Sequence, residues 1–158
     1  MKINRRNFFI RTFQAIAVVS IPAVFSSFLE SCKNTPIGPD SSQIMPTLSG
    51  TFSGGNVTLN VDSSSPLSKT GTAALVNYTG GSLLVDHPSA SAYNALSSIC
   101  THQGCQITGF DTGSGQFICP CHGSTFDVNG KVTQGPAGSP LTKYQTQLNG
   151  TQLTITVG

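Results

Sequence analysis

Residues 100–126 read CTHQGCQITGFDTGSGQFICPCHGSTF and contain four of the five cysteines and two of the three histidines of the chain. These side chains form two compact clusters, C-x-H-x-x-C at 100–105 and C-x-C-H at 119–122. The intervening residues 106–118 are rich in glycine and short polar side chains, which predicts a loop or a hairpin rather than a helix. Such a connection lets the clusters fold against each other, so the sequence predicts one shared site.

The ligand types in the two clusters indicate a metal site. Thiolate and imidazole ligands suit zinc or an iron–sulfur centre, and two cysteines with two histidines satisfy either one tetrahedral zinc ion or two tetrahedral irons. Ligand count alone leaves both possibilities open. Each cluster also has one further cysteine, and in an exported domain such a pair can form a disulfide between the two loops.

The sequence around the clusters predicts an all-β domain over residues 56–158, either a sandwich or a small barrel. Apolar residues alternate at 57–61, and apolar runs at 73–78, 82–86 and 92–99 are separated by glycine and proline turns. The pattern returns at 125–128, 131–133 and 153–157, with Asn-Gly hairpin turns at 129–130 and 149–150. His87 precedes Pro88 and is expected to be a solvated turn residue.

The two clusters resemble the paired boxes of Rieske iron–sulfur proteins. The matching residues are Cys100-Thr101-His102-Gln103-Gly104-Cys105 and Cys119-Pro120-Cys121-His122-Gly123-Ser124. The similarity extends over residues 83–158 and implies an antiparallel Rieske-type β-sandwich with a small cluster-binding subdomain at residues 98–140. It also implies a 2Fe-2S cluster, with one iron bound by Cys100 and Cys119 and the other by His102 and His122. Cys105 and Cys121 are implied to form a disulfide.

Other positions are compared with the same family. Gly135-Pro136-Ala137-Gly138 resembles the proline loop that covers the cluster, although a second proline usually stands where this chain has Gly138. Ser124 corresponds to a hydroxyl donor to a bridging sulfide. Phe126 is predicted to be a core aromatic, and it stands where high-potential members have a tyrosine. The resemblance therefore implies that Ser124 and Phe126 tune the reduction potential.

The first 32 residues resemble an export signal. Arg5 and Arg6 precede a mostly apolar run at 13–29, as in a twin-arginine signal peptide. Leu29 and Ser31 precede Cys32 as in a bacterial lipobox, which makes Cys32 the candidate for lipidation. An uncleaved membrane anchor is the alternative, because residues 12–29 are long enough to reach the lower limit for crossing a bilayer. Both interpretations predict a domain on the periplasmic side of a bacterial membrane and tethered to it.

Residues 33–55 are rich in proline, glycine, serine and threonine, which predicts a flexible linker between the signal and the domain. An ordered coil packed on the domain is the alternative. The part after Cys32 has four lysines and five aspartates, a net charge of −1, and its lysines are scattered. A nucleic-acid-binding protein needs a clustered basic face, so this class is excluded.

The resemblance implies one-electron transfer and leaves the partners open. The chain is expected to carry electrons between a quinol or an oxidoreductase partner and a cytochrome-type acceptor. Whether it is also a catalytic subunit that oxidises quinol is open, because Gln103 stands where cytochrome bc complexes typically have leucine. Alternatives are the Rieske small subunit of a molybdenum oxidase, as in arsenite oxidase, and a zinc-binding structural domain. Ring-hydroxylating oxygenases are disfavoured because their Rieske domains lack the two disulfide cysteines.

Overall fold

The computed structural model of the protein describes residues 43–158. The predicted export signal at 1–32, which includes the lipidation candidate Cys32, lies outside these residues, as does the predicted linker from 33 to 42. Within residues 43–158, no helix has the length and apolar character needed to cross a membrane.

The described residues form twelve β-strands in two sheets, which confirms the all-β prediction. The large sheet has eight strands in the order β1-β4-β5-β6-β11-β12-β3-β2, and the small sheet has four in the order β10-β9-β8-β7. The strand bounds are β1 Thr47–Ser49, β2 Thr51–Ser53, β3 Asn56–Asn60, β4 Thr72–Tyr78, β5 Gly81–Ser89, β6 Ala92–Ser97, β7 Gly109–Asp111, β8 Gln116–Ile118, β9 Thr125–Asp127, β10 Val132–Gln134, β11 Lys143–Asn149 and β12 Gln152–Thr156.

The large sheet closes on itself through one segment, residues 47–53. Strand β1 pairs in parallel with β4, and β2 pairs antiparallel with β3, although β1 and β2 stand at opposite ends of the strand order. Gly50 joins the two strands, and its N–H donates to the carbonyl of Asn77 at 2.8 Å. A β-carbon at Gly50 would lie 2.5 Å from Cγ1 of Val57, so only glycine fits this crossing without a shift of the packed core.

The linker prediction is wrong from residue 43 onward, and the domain begins well before the predicted boundary at residue 56. Ile44 forms a bridge with Gly109, Met45 is buried, and the next residues are the sheet-closing strands. The amino-acid composition does not predict this ordered structure, because the segment is held mainly by backbone hydrogen bonds to strands that are distant in the sequence. Such bonds place few demands on side-chain type.

The central strands of the large sheet are covered on both faces, which explains their continuous apolar runs. Ala74, Val76 and Val85 face a core enclosed by the closed sheet. The alternate residues Leu75 and Leu84 face a second core, which the small sheet covers. Alternate residues of β4, β5 and β6 thus face two different cores. The second core supports the metal-binding loops described below.

The small sheet begins with the hairpin that joins the two cysteine clusters. Strands β7 and β8 pair antiparallel, so the predicted loop or hairpin at 106–118 is a hairpin. Its turn is stabilised by the carboxylate of Asp111, which accepts hydrogen bonds from the N–H of Gly113 and the hydroxyl of Ser114. The rings of Phe110, Phe117 and Phe126 are buried in the second core. The hairpin therefore connects the two cysteine clusters and covers the second core.

His87 is a buried strand residue, so its assignment as a solvated turn residue is wrong. Its side chain is 5% exposed, and its ring stacks on Tyr93 with the centroids 4.3 Å apart. The strand continues past it to Ser89 because an irregularity in the β5–β6 register, between Asp86 and Ser89, accommodates Pro88. Proline lacks the N–H that a regular ladder requires, and bulges are one of the few places where a strand tolerates it.

Candidate metal centre

Two loops with the same backbone hydrogen-bond pattern carry the predicted ligands. In the first loop, residues 100–105, the N–H of Cys100 donates to the carbonyl of Cys105 at 2.8 Å, and the N–H of Gly104 donates to the carbonyl of Cys100 at 2.9 Å. Gly104 has a φ of 74°, which a residue with a side chain rarely adopts. The pattern reverses the chain within six residues and turns the Cys100 side chain into the core.

The second loop, residues 119–124, repeats this pattern. The N–H of Cys119 donates to the carbonyl of Ser124 at 2.9 Å, and the N–H of Gly123 donates to the carbonyl of Cys119 at 3.1 Å. Gly123 has a φ of 72°. The loops therefore correspond in their backbone hydrogen bonds, with Cys119 at the position equivalent to Cys100 and Ser124 at the position equivalent to Cys105.

The four predicted ligands are arranged as two pairs. Cys100 and Cys119 are 2% and 1% exposed and face each other at the edge of the second core, whereas His102 is half-buried and His122 is exposed. Within residues 43–158, no three Cys, His, Asp or Glu side chains surround one point as the ligands of a single metal ion do. The site thus has a buried sulfur end and an outer nitrogen end.

The two imidazoles meet through the same ring atom. The Nδ1 atoms of His102 and His122 are 3.3 Å apart, and the rings are perpendicular with their centroids 4.8 Å apart. Two nitrogen ligands about 2.1 Å from one tetrahedral metal stand about 3.4 Å apart, so this spacing fits a common metal. The ring nitrogens Nε2 lie on the far sides of the rings, away from this contact.

The electrostatics of the sulfur end favour a bound cation. Burial raises the pKa of the Cys119 thiol, whereas a hydrogen bond from the N–H of Cys121 lowers it, the nearby Cys100 raises it again, and the N–H of His122 lowers it. A buried thiolate without a cation is costly, and metal binding drives such thiols to release their protons. The backbone amides that point at this sulfur are already placed to stabilise negative charge on it.

Cys105 and Cys121 form a disulfide, which confirms the predicted pairing. Cys105 is the last residue of the first loop and Cys121 is the third residue of the second. The bond therefore ties the two ligand loops together directly. Cys100 and Cys119 remain as free thiols among the described residues.

Ser124 is the last residue of the second loop, and Phe126 follows it on β9. Both side chains have no solvent exposure, so the prediction of Phe126 as a core aromatic is confirmed. The hydroxyl of Ser124 accepts a hydrogen bond from the N–H of Ala137 at 3.0 Å. Ala137 belongs to the 135–138 loop, and its side chain is buried in the second core. The loop that resembles the family's proline loop is thus attached to the second ligand loop.

Comparison with known proteins identifies the domain. Residues 58–145 match the family model of the Rieske [2Fe-2S] domain. The chain belongs to the Rieske family. The match includes both ligand loops, the disulfide and the small sheet. Its cofactor is therefore a 2Fe-2S cluster, and the donor set fits it, because two buried thiols and two paired imidazoles can each bind one of two irons. Zinc is set aside.

Cyanobacterial Rieske subunits are among the relatives. The chain is 37% identical over 110 residues to the cytochrome b6-f complex iron-sulfur subunit of Prochlorococcus marinus strain MIT 9215, covering 63% of this chain and 61% of the relative. It is 46% identical over 55 residues to the subunit of the same name from Parasynechococcus marenigrum strain WH8102, covering 35% and 30%. The chain thus spans about six-tenths, or less, of the length of these curated relatives.

Solved Rieske structures have the same fold. The plasma membrane Rieske protein PetC3 from Synechocystis PCC 6803 is 34% identical with a TM-score of 0.52, covering 61% of this chain and 97% of that one. The ferredoxin of carbazole 1,9a-dioxygenase from Nocardioides aromaticivorans IC177 is 24% identical with a TM-score of 0.52, covering 64% and 98%. The second likeness concerns the fold alone.

Proposed function

We propose that this Rieske protein carries single electrons to a cytochrome-type acceptor, with Cys100, Cys119, His102 and His122 as the cluster ligands. One observation carries the assignment: two matched loops bring two buried thiols and two imidazoles together, and a disulfide joins them. When bound, the 2Fe-2S cluster takes up and releases one electron at a time. The protein's part is to bind the cluster, exclude water from its sulfur end and leave its histidine end accessible.

The side chains divide these tasks. Cys100 and Cys119 would bind as thiolates inside the core, and the N–H groups of Cys121 and His122 would offset the charge on the Cys119 sulfur. The histidines bind through Nδ1, which leaves Nε2 of the exposed His122 free to hold a proton or to contact a partner. Neutral imidazole ligands in place of thiolates raise the reduction potential. These properties suit electron transfer to an acceptor with the reduction potential of a cytochrome.

The comparisons favour a cytochrome complex as the setting. The two curated relatives described above are cytochrome b6-f complex subunits, which supports cytochrome-type partners over a molybdenum oxidase. PetC3 is a plasma membrane Rieske protein, which supports membrane association of this chain as well. Export by a twin-arginine signal and a tether at Cys32 or through an uncleaved helix complete the proposal, with the cluster domain on the periplasmic side.

The first experiment tests the cofactor and its ligands. The purified protein should contain two irons per chain and give a Rieske-type EPR spectrum after reduction. His102→Ser and His122→Ser should lose this spectrum, whereas His87→Phe should keep it, because His87 stacks on Tyr93 in the other core. Retention of the spectrum in both ligand variants would refute the assignment.

A second experiment separates the possible electron donors. The reduced protein should pass one electron to an oxidised c-type cytochrome in stopped-flow measurements. Reduction of the isolated protein by a quinol tests direct quinol oxidation, in which Nε2 of His122 would accept a hydrogen bond from the substrate. Reduction only in the presence of a partner complex would show that the chain is a carrier within that complex.

A further inference from the structure

Residues 134–139, called here the bridging segment, form hydrogen bonds with both ligand loops. The amide Nε2 of Gln134 donates to the carbonyl of Gly123 at 3.2 Å, in the second loop. The hydroxyl of Thr101, in the first loop, donates to the carbonyl of Ser139 at 2.6 Å. One short segment therefore contacts the two loops at its two ends.

The bridging segment is itself held by the domain core. It begins at the last residue of β10, and the side chain of Ala137 in its middle is buried. Two residues after the segment, Leu141 is buried and its N–H donates to the carbonyl of Gly130 at 2.8 Å. The segment is thus anchored in the core, and the N–H of Ala137 also donates to the Ser124 hydroxyl in the second loop, so it can serve as a support for the loops.

The contacts of the bridging segment and the disulfide lie on opposite sides of each histidine along the chain. In the second loop, His122 stands between the disulfide cysteine Cys121 and Gly123, which accepts the hydrogen bond from Gln134. In the first loop, His102 stands between Thr101 and the disulfide cysteine Cys105. Each histidine is therefore flanked by one covalent tie and by one hydrogen-bonded tie.

We propose that Thr101 and Gln134 are positioning residues that hold the His102 and His122 rings in the orientation the cluster requires. The inference rests on the ligand assignment proposed above. The disulfide ties one flank of each histidine covalently, whereas the other flank is held by hydrogen bonds alone. The bridging segment strengthens this second flank, because Thr101 and Gln134 connect it to the same core-anchored support.

The test uses Thr101→Val, Gln134→Leu and the double variant in the full chain. Loss of visible absorbance in the presence of an iron chelator gives the rate of cluster loss. We expect this rate to rise about fivefold for each hydrogen bond removed. The double variant should depart from the product of the two single effects, because the two contacts share one support. The midpoint potential and the EPR line positions should shift in each variant, which a purely structural loss would not cause.

Two controls are built into the chain. Thr101→Ser keeps the hydroxyl and should restore the wild-type rate and potential. Thr146→Val removes another threonine hydroxyl, which donates to the carbonyl of Tyr93 at 2.7 Å in the large sheet, and it should leave the potential and EPR lines unchanged. Thr101 and Gln134 are both exposed, so their replacement leaves the core intact.

The outcomes are distinguishable. Wild-type rates and potentials in Thr101→Val and Gln134→Leu would overturn the positioning role and leave the proposed ligands standing. Equal shifts in Thr146→Val would also overturn it, because the effect would then be one of general stability. Absence of a 2Fe-2S spectrum from the wild-type protein would overturn the proposed function, and this inference with it.

Discussion

The hydroxyl oxygen of Ser124 lies 3.0 Å from the backbone nitrogen of Ala137 and accepts a hydrogen bond from it. A serine hydroxyl has one proton to donate and can accept through its lone pairs, so this contact leaves the Ser124 proton free. Ser124 ends the second ligand loop, and its side chain is fully buried. The 135–138 loop thus orients the hydroxyl and leaves its donor available to a sulfur atom of the cluster or of its ligands.

Ser124→Ala should lower the midpoint potential by tens of millivolts. A hydrogen bond to sulfur stabilises the more negative, reduced state, and about 1 kcal/mol corresponds to roughly 40 mV for one electron. Protein-film voltammetry measures the change. Ser98→Ala is the matched control, because Ser98 is equally buried but donates to the carbonyl of Ser82. An unchanged potential in Ser124→Ala would remove the hydroxyl from the tuning of this centre.

Phe126→Tyr should raise the potential, since it would place a second hydroxyl where high-potential members of the family have a tyrosine. The wild-type potential should lie within the roughly −150 to +300 mV range of Rieske centres and below its most positive members. Phe117→Tyr is the control, because Phe117 pairs with Phe126 across β8 and β9 and is also fully buried. If both tyrosines shift the potential equally, the effect belongs to core polarity and not to a specific hydrogen bond.

Replacing Cys105 and Cys121 by serine should leave a cluster that assembles but is lost faster and has a lower potential. The disulfide closes a loop with a sequence separation of 16, and closing a loop of about 15 residues is typically worth about 3 kcal/mol. The rate of absorbance loss on heating and the midpoint potential measure both effects. Wild-type behaviour of the double-serine protein would mean that the other contacts hold the loops unaided.

Asp86 should make the domain less stable as the pH rises. Its carboxyl is 1% exposed, with one oxygen bonded to Asn94 at 3.1 Å and the other without a partner. Burial raises its pKa from 3.8 to about 7, against the opposing effects of the Asn94 hydrogen bond and the charge of Lys143. Between pH 4 and 7 the folded state binds more protons than the unfolded state, so the free energy of unfolding falls as the pH rises.

Asp86→Asn should remove this dependence. At pH 8 the variant should gain up to about 4 kcal/mol over the wild type, and at pH 4 the two should be similar. Denaturant unfolding at a series of pH values measures the difference. Asp111→Asn should instead make the domain less stable than the wild type at neutral pH, because hydrogen bonds from Ser114 and Gly113 lower the pKa of Asp111. A stability difference between Asp86→Asn and the wild type that does not change with pH would contradict a raised pKa of Asp86 in the folded state.

The hairpin between the clusters and the disulfide could be predicted because their signals are local: both follow from residues within one 27-residue stretch or from its family resemblance. The assignment of the four cluster ligands stays a prediction. The contacts of Thr101 and Gln134 were not predicted. Each joins a side chain to the backbone carbonyl of a residue in another loop. Every residue has such a carbonyl, so the sequence does not show which one accepts the hydrogen bond.

The two errors in the fold have the same origin. His87 was assigned from the proline that follows it, but its environment is set by the pairing of β5 with β4 and β6. The glycine- and proline-rich stretch before residue 56 was assigned from composition, but its partners are β3 and β4. In both cases strand pairing with other parts of the chain overrode a local preference.

Residues 47–53 cover the edges of β3 and β4 that could otherwise pair with a strand of another molecule. A domain that began at Asn56 would leave the outer edges of β3 and β4 unpaired and would remove Met45 from the core. Unpaired strand edges recruit strands from other molecules, which leads to swapped dimers and aggregates. Residues 47–53 are therefore an intramolecular edge cover, and their deletion should increase the tendency of the domain to self-associate.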